Sequence, residues 1–96
     1  MHIVINRLKF KAATDWNELR AKIRAFGDHV RAEPDFISIE LLKIDEVTGA
    51  ILVRYRERAS LDRASAEIAG PWFAANMRQY LDGPADRVVG EVVATG

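Results

Sequence analysis

Three places in this sequence hold side chains able to act on a small molecule. The first is Asn6, a carboxamide set among Val4, Ile5 and Leu8. An amide buried without a partner costs about 1–3 kcal/mol. Asn6 is therefore either a structural amide satisfied by the protein or a hydrogen-bond donor aimed into a cleft. The second is Tyr55, near the end of an apolar run. A phenol both donates and accepts hydrogen bonds, so Tyr55 is either a strand-end core residue with its hydroxyl in solvent or a donor into a cleft. The third is Trp72-Phe73, directly after Gly70-Pro71, with Asn76 and Met77 one turn further on. Small-molecule sites are walled by such apolar and aromatic groups, although an aromatic pair at a helix break can also just fill core.

Other chemistries find little support. The chain has no cysteine, which removes disulfides, thiolate metal sites and a cysteine nucleophile. Its two histidines, His2 and His29, lie far apart without partners, so neither a metal site nor a Ser-His-Asp arrangement is expected. His29 falls one residue off an apolar stripe and reads as a surface residue. There is no Gly-rich phosphate loop, and no cofactor is expected. Fourteen basic residues balance fourteen acidic ones, which is not the charge footprint of a nucleic-acid binder. The dense cluster Arg54, Arg56 and Arg58 reads as a solvated strand end paired with nearby acids, or else as an anion clamp. No apolar run reaches the roughly 18 residues that span a bilayer. MHIVINRLKF lacks the apolar stretch and cleavage site of a signal peptide, so a soluble, cytoplasmic protein without membrane or nucleic-acid partners is expected.

The elements that must position these residues follow from periodicity. His2–Phe10 alternates, which predicts a strand. Asp15 and Glu18 have capping-box spacing, and Trp16, Leu19, Ile23, Phe26 and Val30 form one apolar stripe of a helix that Glu33-Pro34 ends. Phe36–Ile44 and Ala50–Arg58 read as two strands of a hairpin. Ser60 can cap a second helix, whose stripe begins at Leu61, Ala64 and Ile68. Gly70-Pro71 should break or kink that helix, Phe73, Met77, Tyr80 and Leu81 continue its apolar face, and Gly83-Pro84 stops it. Val88–Ala94 reads as the last strand.

The order βαββαβ over residues 1–96 predicts a single ferredoxin-like α+β domain, a four-stranded antiparallel sheet with both helices on one face. The strands carry apolar residues on both faces, as Ile3 and Ile5 show opposite Val4 and Leu8, whereas a sheet with one wet face alternates more cleanly. No third helix is available as a cover, so a second copy of the sheet is expected to supply it.

The stretch Ala32-Glu33-Pro34-Asp35-Phe36-Ile37-Ser38-Ile39-Glu40-Leu41 resembles the acidic-Pro-Gly-Phe-plus-strand segment of the antibiotic biosynthesis monooxygenase family, with Asp35 where the family usually has Gly. The run Ile51–Arg58 followed by a helix from Ser60, and the ending Arg87–Val93, fit as well. The resemblance covers nearly the whole chain. It implies a dimeric α+β barrel, two sheets back to back, with a ligand cleft between each sheet and its own helices. Some relatives are cofactor-free monooxygenases of aromatic or quinol-like substrates, and others degrade haem. Asn6 matches a cleft Asn of the haem-degrading members, but their catalytic Trp falls near Ala64 and their haem-ligating His near Asn76 or Met77. Quinol-oxidising members commonly carry Trp where Tyr55 stands.

The resulting expectation is a cofactor-independent monooxygenase of a small aromatic or quinol-like substrate. Asn6 and Tyr55 would be its hydrogen-bonding catalytic groups, and Trp72, Phe73, Asn76 and Met77 would contact the substrate. The alternatives are a non-catalytic ligand-binding module and a structural homodimer whose cleft is filled by its own side chains.

Overall fold

A computed structural model describes all residues from Met1 to Gly96. Its strands are β1 (His2–Lys9), β2 (Phe36–Lys43), β3 (Thr48–Tyr55) and β4 (Asp86–Glu91), with helix α1 (Trp16–Val30) between β1 and β2. Between β3 and β4 the chain runs through α2 (Arg58–Ala64), a π-helix (Ser65–Ala69), α3 (Gly70–Asn76) and a 3-10 turn (Arg78–Tyr80). The sheet has the order β2-β3-β1-β4 with antiparallel neighbours. This is the expected βαββαβ arrangement.

The pairing register explains the two faces. Val4 lies opposite Val53 and Val89, and Asn6 opposite Ile51 and Arg87. Directly paired residues share a face, so these side chains all look toward the helices. The stripe of α1 meets them there, with Leu19, Ile23, Phe26 and Val30 buried. Phe10, Leu61, Met77 and Leu81 complete the same core. On the opposite face, Ile5 is flanked by Leu52 on β3 and Val88 on β4. No segment of the chain covers that row, and Leu42 and Val88 remain about half exposed.

Several local expectations are corrected. Asp15 caps α1 by accepting from the Asn17 backbone N–H at 2.8 Å, but there is no capping box, because the Glu18 carboxylate instead accepts from the Tyr80 hydroxyl at 3.2 Å. The helix ends at Val30, three residues before Glu33. β3 starts at Thr48 and stops at Tyr55, so Arg58 belongs to α2, where it pairs with Asp62 at 3.0 Å. Arg54 pairs with Glu40, and these two pairs favour the solvated-end reading of the basic cluster. A register shift between Phe36 and Ser38 leaves Phe36, Ile39 and Leu41 all paired with helix-facing residues of β3, whereas strict alternation puts Phe36 opposite the other two. Val92 to Ala94 lie beyond the end of β4.

Ser60 does not cap α2. The helix begins behind Glu57 without a side-chain cap, and the Ser60 hydroxyl donates to Asp35 Oδ2 at 2.7 Å. Asp35 itself has φ +65°, a left-handed conformation in which glycine is the least strained residue. The family's usual Gly at this position has its physical reason in that angle. Here an aspartate accepts the strained conformation and uses its carboxylate to tie the start of β2 to α2.

The break foreseen at Gly70-Pro71 takes the form of a widened turn just before it. The Gly70 backbone N–H donates to the Ser65 carbonyl, five residues back. A Cβ on Gly70 would lie 2.8 Å from that carbonyl oxygen, closer than real contacts allow, so the π turn requires glycine there. Pro71 then sits in the first turn of α3, where its missing N–H costs little.

Candidate functional site

Between the helix-facing side of the sheet and the α2–π–α3 wall lies a cleft of about 680 Å3. That is inside the roughly 300–1,000 Å3 range of small-molecule sites. Val4, Ile51 and Val53 of the sheet form its floor, Ile23, Phe26 and Val30 of α1 one side, and Ala64, Ala69, Trp72 and Phe73 the roof. The Phe26 and Trp72 rings stack at 4.4 Å between centroids, tilted by 31°, which joins the two helical walls across the cleft.

Of the residues singled out by sequence, Asn6, Tyr55, Trp72 and Phe73 all line this cleft. Asn76 and Met77 do not. The Asn76 side chain donates back to the Trp72 carbonyl at 3.0 Å, closing the end of α3. Met77 is fully buried in the core beneath the turn that follows. The helical stripe placed Met77 on the apolar face correctly, but α3 ends at Asn76 and turns that face downward. Sequence reasoning also missed Ser65, Arg78 and Arg87, which line the cleft as well. Alternation along β1 and β4 carried a usable signal for Arg87, since it faces the same way as Val89. Ser65 and Arg78 depend on the π-helix and the 3-10 turn, which no periodicity announces.

The side chain of Asn6 is half-buried and makes no hydrogen bond within the protein, so its amide is free to meet a ligand. Arg87 stands directly across from it on β4 and donates from Nη2 to Ser65 Oγ at 3.4 Å, bridging sheet and roof. Tyr55 lies four positions further along β3 than Ile51, the partner of Asn6. At about 3.4 Å per residue the two positions stand roughly 14 Å apart along the strands, so Asn6 and Tyr55 mark opposite ends of the cleft. The Tyr55 ring is held edge-on by Phe36 at 5.6 Å. Burial raises its phenol pKa above the ordinary 10.0, the Glu33 carboxylate adds to that rise, and Arg63 opposes it. Arg63 is engaged with Glu33 at 3.4 Å. Tyr55 is thus a protonated donor throughout the neutral range.

The cleft offers little to iron or other metals. No imidazole, carboxylate or thiol lines it, and no cluster of three metal-ligating side chains forms in the molecule. No helix is long and apolar enough to cross a membrane.

The sheet order, the helices on one face and the cleft beneath them define a class. This is the ferredoxin-like α+β fold found in solved antibiotic biosynthesis monooxygenase structures. One structure that shares it is Rv0793 from Mycobacterium tuberculosis, 24% identical, with a TM-score of 0.77 over 98% of this chain and 96% of that one. Another is SnoaB, a cofactor-independent oxygenase from Streptomyces nogalater, at 14% identity and a TM-score of 0.78, covering 98% and 94%. A third is a variant of MhuD with two manganese protoporphyrins per active site, at 17% identity and a TM-score of 0.76, covering 100% and 98%. At such identities the likeness is one of fold. No family model and no curated protein matches the sequence.

Proposed function

We propose that this protein is a monooxygenase of the antibiotic biosynthesis monooxygenase kind. Its substrate would be an electron-rich aromatic such as a hydroquinone, bound in the cleft. The observation that carries this reading is the cleft itself: apolar, large enough for a ring system, and furnished with an unengaged amide at one end and a protonated phenol at the other. The run Glu33–Leu41 and the shared fold with a cofactor-independent oxygenase support it.

The chemistry asks little of the protein. A deprotonated hydroquinone gives electrons to dioxygen; one oxygen atom enters the ring, the other leaves as water, and the substrate supplies the electrons for both. The dry walls protect the reactive intermediate. The Asn6 amide donates to the developing oxyanion or peroxide, and fixed donors at such positions are worth about 3 kcal/mol. Tyr55 anchors the far end of the substrate. A single ring does not bridge ends roughly 14 Å apart in backbone position, so an elongated substrate suits the cleft. No side chain lining it is a base at neutral pH, so ionisation is left to the substrate, and the rate rises with pH through the substrate's own pKa.

Haem degradation fits less well. The structure with bound manganese porphyrins shows that the fold admits such a ligand, but this cleft has no imidazole or thiolate for iron, and its phenol is held protonated by burial.

The assembly is a homodimer formed by the outer sheet face, where Leu52, Ile5 and Val88 form an uncovered apolar row. A second copy of the same face buries it symmetrically.

Oxygen uptake with a naphthalene hydroquinone tests the enzyme reading. We expect turnover that Asn6→Ala lowers about 10²-fold in kcat and that Tyr55→Phe weakens mainly through KM. Equal rates in both variants would remove the roles assigned to them. Ligand binding without any oxygen consumption would leave a binding module.

A further inference from the structure

The chain is neutral overall, but the cleft is not. Among its 21 lining residues, Arg78 and Arg87 are the two charged side chains. Of the other twelve basic residues, Lys9, Arg31, Lys43, Arg54, Arg58 and Arg63 each have a carboxylate partner, and the remaining six do not line the cleft. Arg78 and Arg87 have none, and the one hydrogen bond either makes to a side chain is the 3.4 Å contact from Arg87 to Ser65 Oγ. Most of their guanidinium donors are therefore uncommitted. Both belong to the Asn6 end. Arg87 pairs across from Asn6, and Arg78 opens the 3-10 turn that is tied to the end of β1 through Lys11 N–H to the Tyr80 carbonyl.

Resting on the reading of this cleft as a small-molecule site, we propose that its ligand is an amphipathic aromatic acid whose carboxylate is held by Arg78 and Arg87. The ring system lies under Trp72 and Phe73, and the acid group reaches the Asn6 end. Guanidinium groups suit this task because they bind carboxylates through paired, charge-assisted hydrogen bonds. A neutral hydrocarbon of the same shape leaves two like charges at the mouth without a counter-charge. The same two charges stabilise an ionised hydroxyl next to the carboxylate, which supplies what the cleft lacks in bases. Both arginines are exposed to solvent, so salt weakens their attraction.

Binding, independent of turnover, is the test. Anthracene-2-carboxylate and its primary amide have nearly the same shape and differ in charge, and ring fluorescence reports both. Native protein is expected to bind the carboxylate at least tenfold more tightly than the amide, with the preference shrinking as sodium chloride is raised. Arg78→Gln with Arg87→Gln is expected to bring the two affinities within about twofold, at an unchanged circular dichroism spectrum. Equal binding of the two probes by the native protein overturns the acid while leaving the cleft reading in place, as does a preference insensitive to salt. Failure of both probes to bind at millimolar concentration overturns the cleft reading along with it. The salt titration uses only native protein, so the proposal stays testable if the double variant does not fold.

Discussion

At the scale of single residues, two side chains do something their type alone does not suggest. Tyr55 is buried, and its phenol pKa is raised above the ordinary 10.0, first by burial and then by Glu33. A group whose folded pKa exceeds its unfolded one contributes stability that is complete below the unfolded value and lost as pH rises through the folded value. Native protein should therefore lose stability above about pH 10 more steeply than Tyr55→Phe, and urea midpoints across that range will show it. Asp35 is the second. Its left-handed backbone, φ +65°, strains any residue with a Cβ by about 1–2 kcal/mol, and the hydrogen bond from Ser60 offsets part of that. Asp35→Gly removes strain and bond together and should be close to neutral. Asp35→Ala keeps the strain and loses the bond, and should cost about 1–2 kcal/mol in urea denaturation.

At the scale of elements, the π-helix shapes the site most. Its wide turn depends on Gly70, because a Cβ would meet the Ser65 carbonyl at 2.8 Å. Backbone blocks that approach and cannot swing aside as a side chain could. Gly70→Ala should destabilise the fold by about 1–3 kcal/mol, read by thermal unfolding, and should weaken binding in the cleft because Ser65, Ala69 and Trp72 shift with the turn. The element level also shows what was legible beforehand. β1 and α1 could be read because alternation and the stripe from Leu19 to Val30 are the direct imprint of burial. The Gly70-Pro71 break was legible as a break, but its form was not, since hydrogen bonds five residues apart leave no period in composition. The structure sets Asn76 and Met77 outside the cleft, because Asn76 closes the end of α3 and Met77, just past it, is buried in the core.

At the scale of the whole molecule, the four-stranded antiparallel sheet with its helices on one face followed from element sequence, and so did the uncovered outer face. The cleft's charge did not, because Arg78 and Arg87 are 9 positions apart in sequence and share a cavity only once the 3-10 turn has formed. The outer face carries the assembly prediction. Ile5→Glu places a charge in the middle of the row formed with Leu52 and Val88. Sedimentation equilibrium should give a dimer for the native chain and a monomer for the variant, and a native monomer at micromolar concentration would remove the proposed pairing. The roof over the cleft has a further consequence. It is anchored at its ends by Leu61 and Met77, both with 0% exposure, while neither the π-helix nor α3 between them contains a buried residue. Exposed positions usually tolerate substitution within about 0.5 kcal/mol. The fold is therefore secured at the two piers, and the outward positions of the span, such as Ala66, Glu67, Ala74 and Ala75, can be rewritten with little loss of stability, whereas Trp72 and Phe73 pack against the core and cannot.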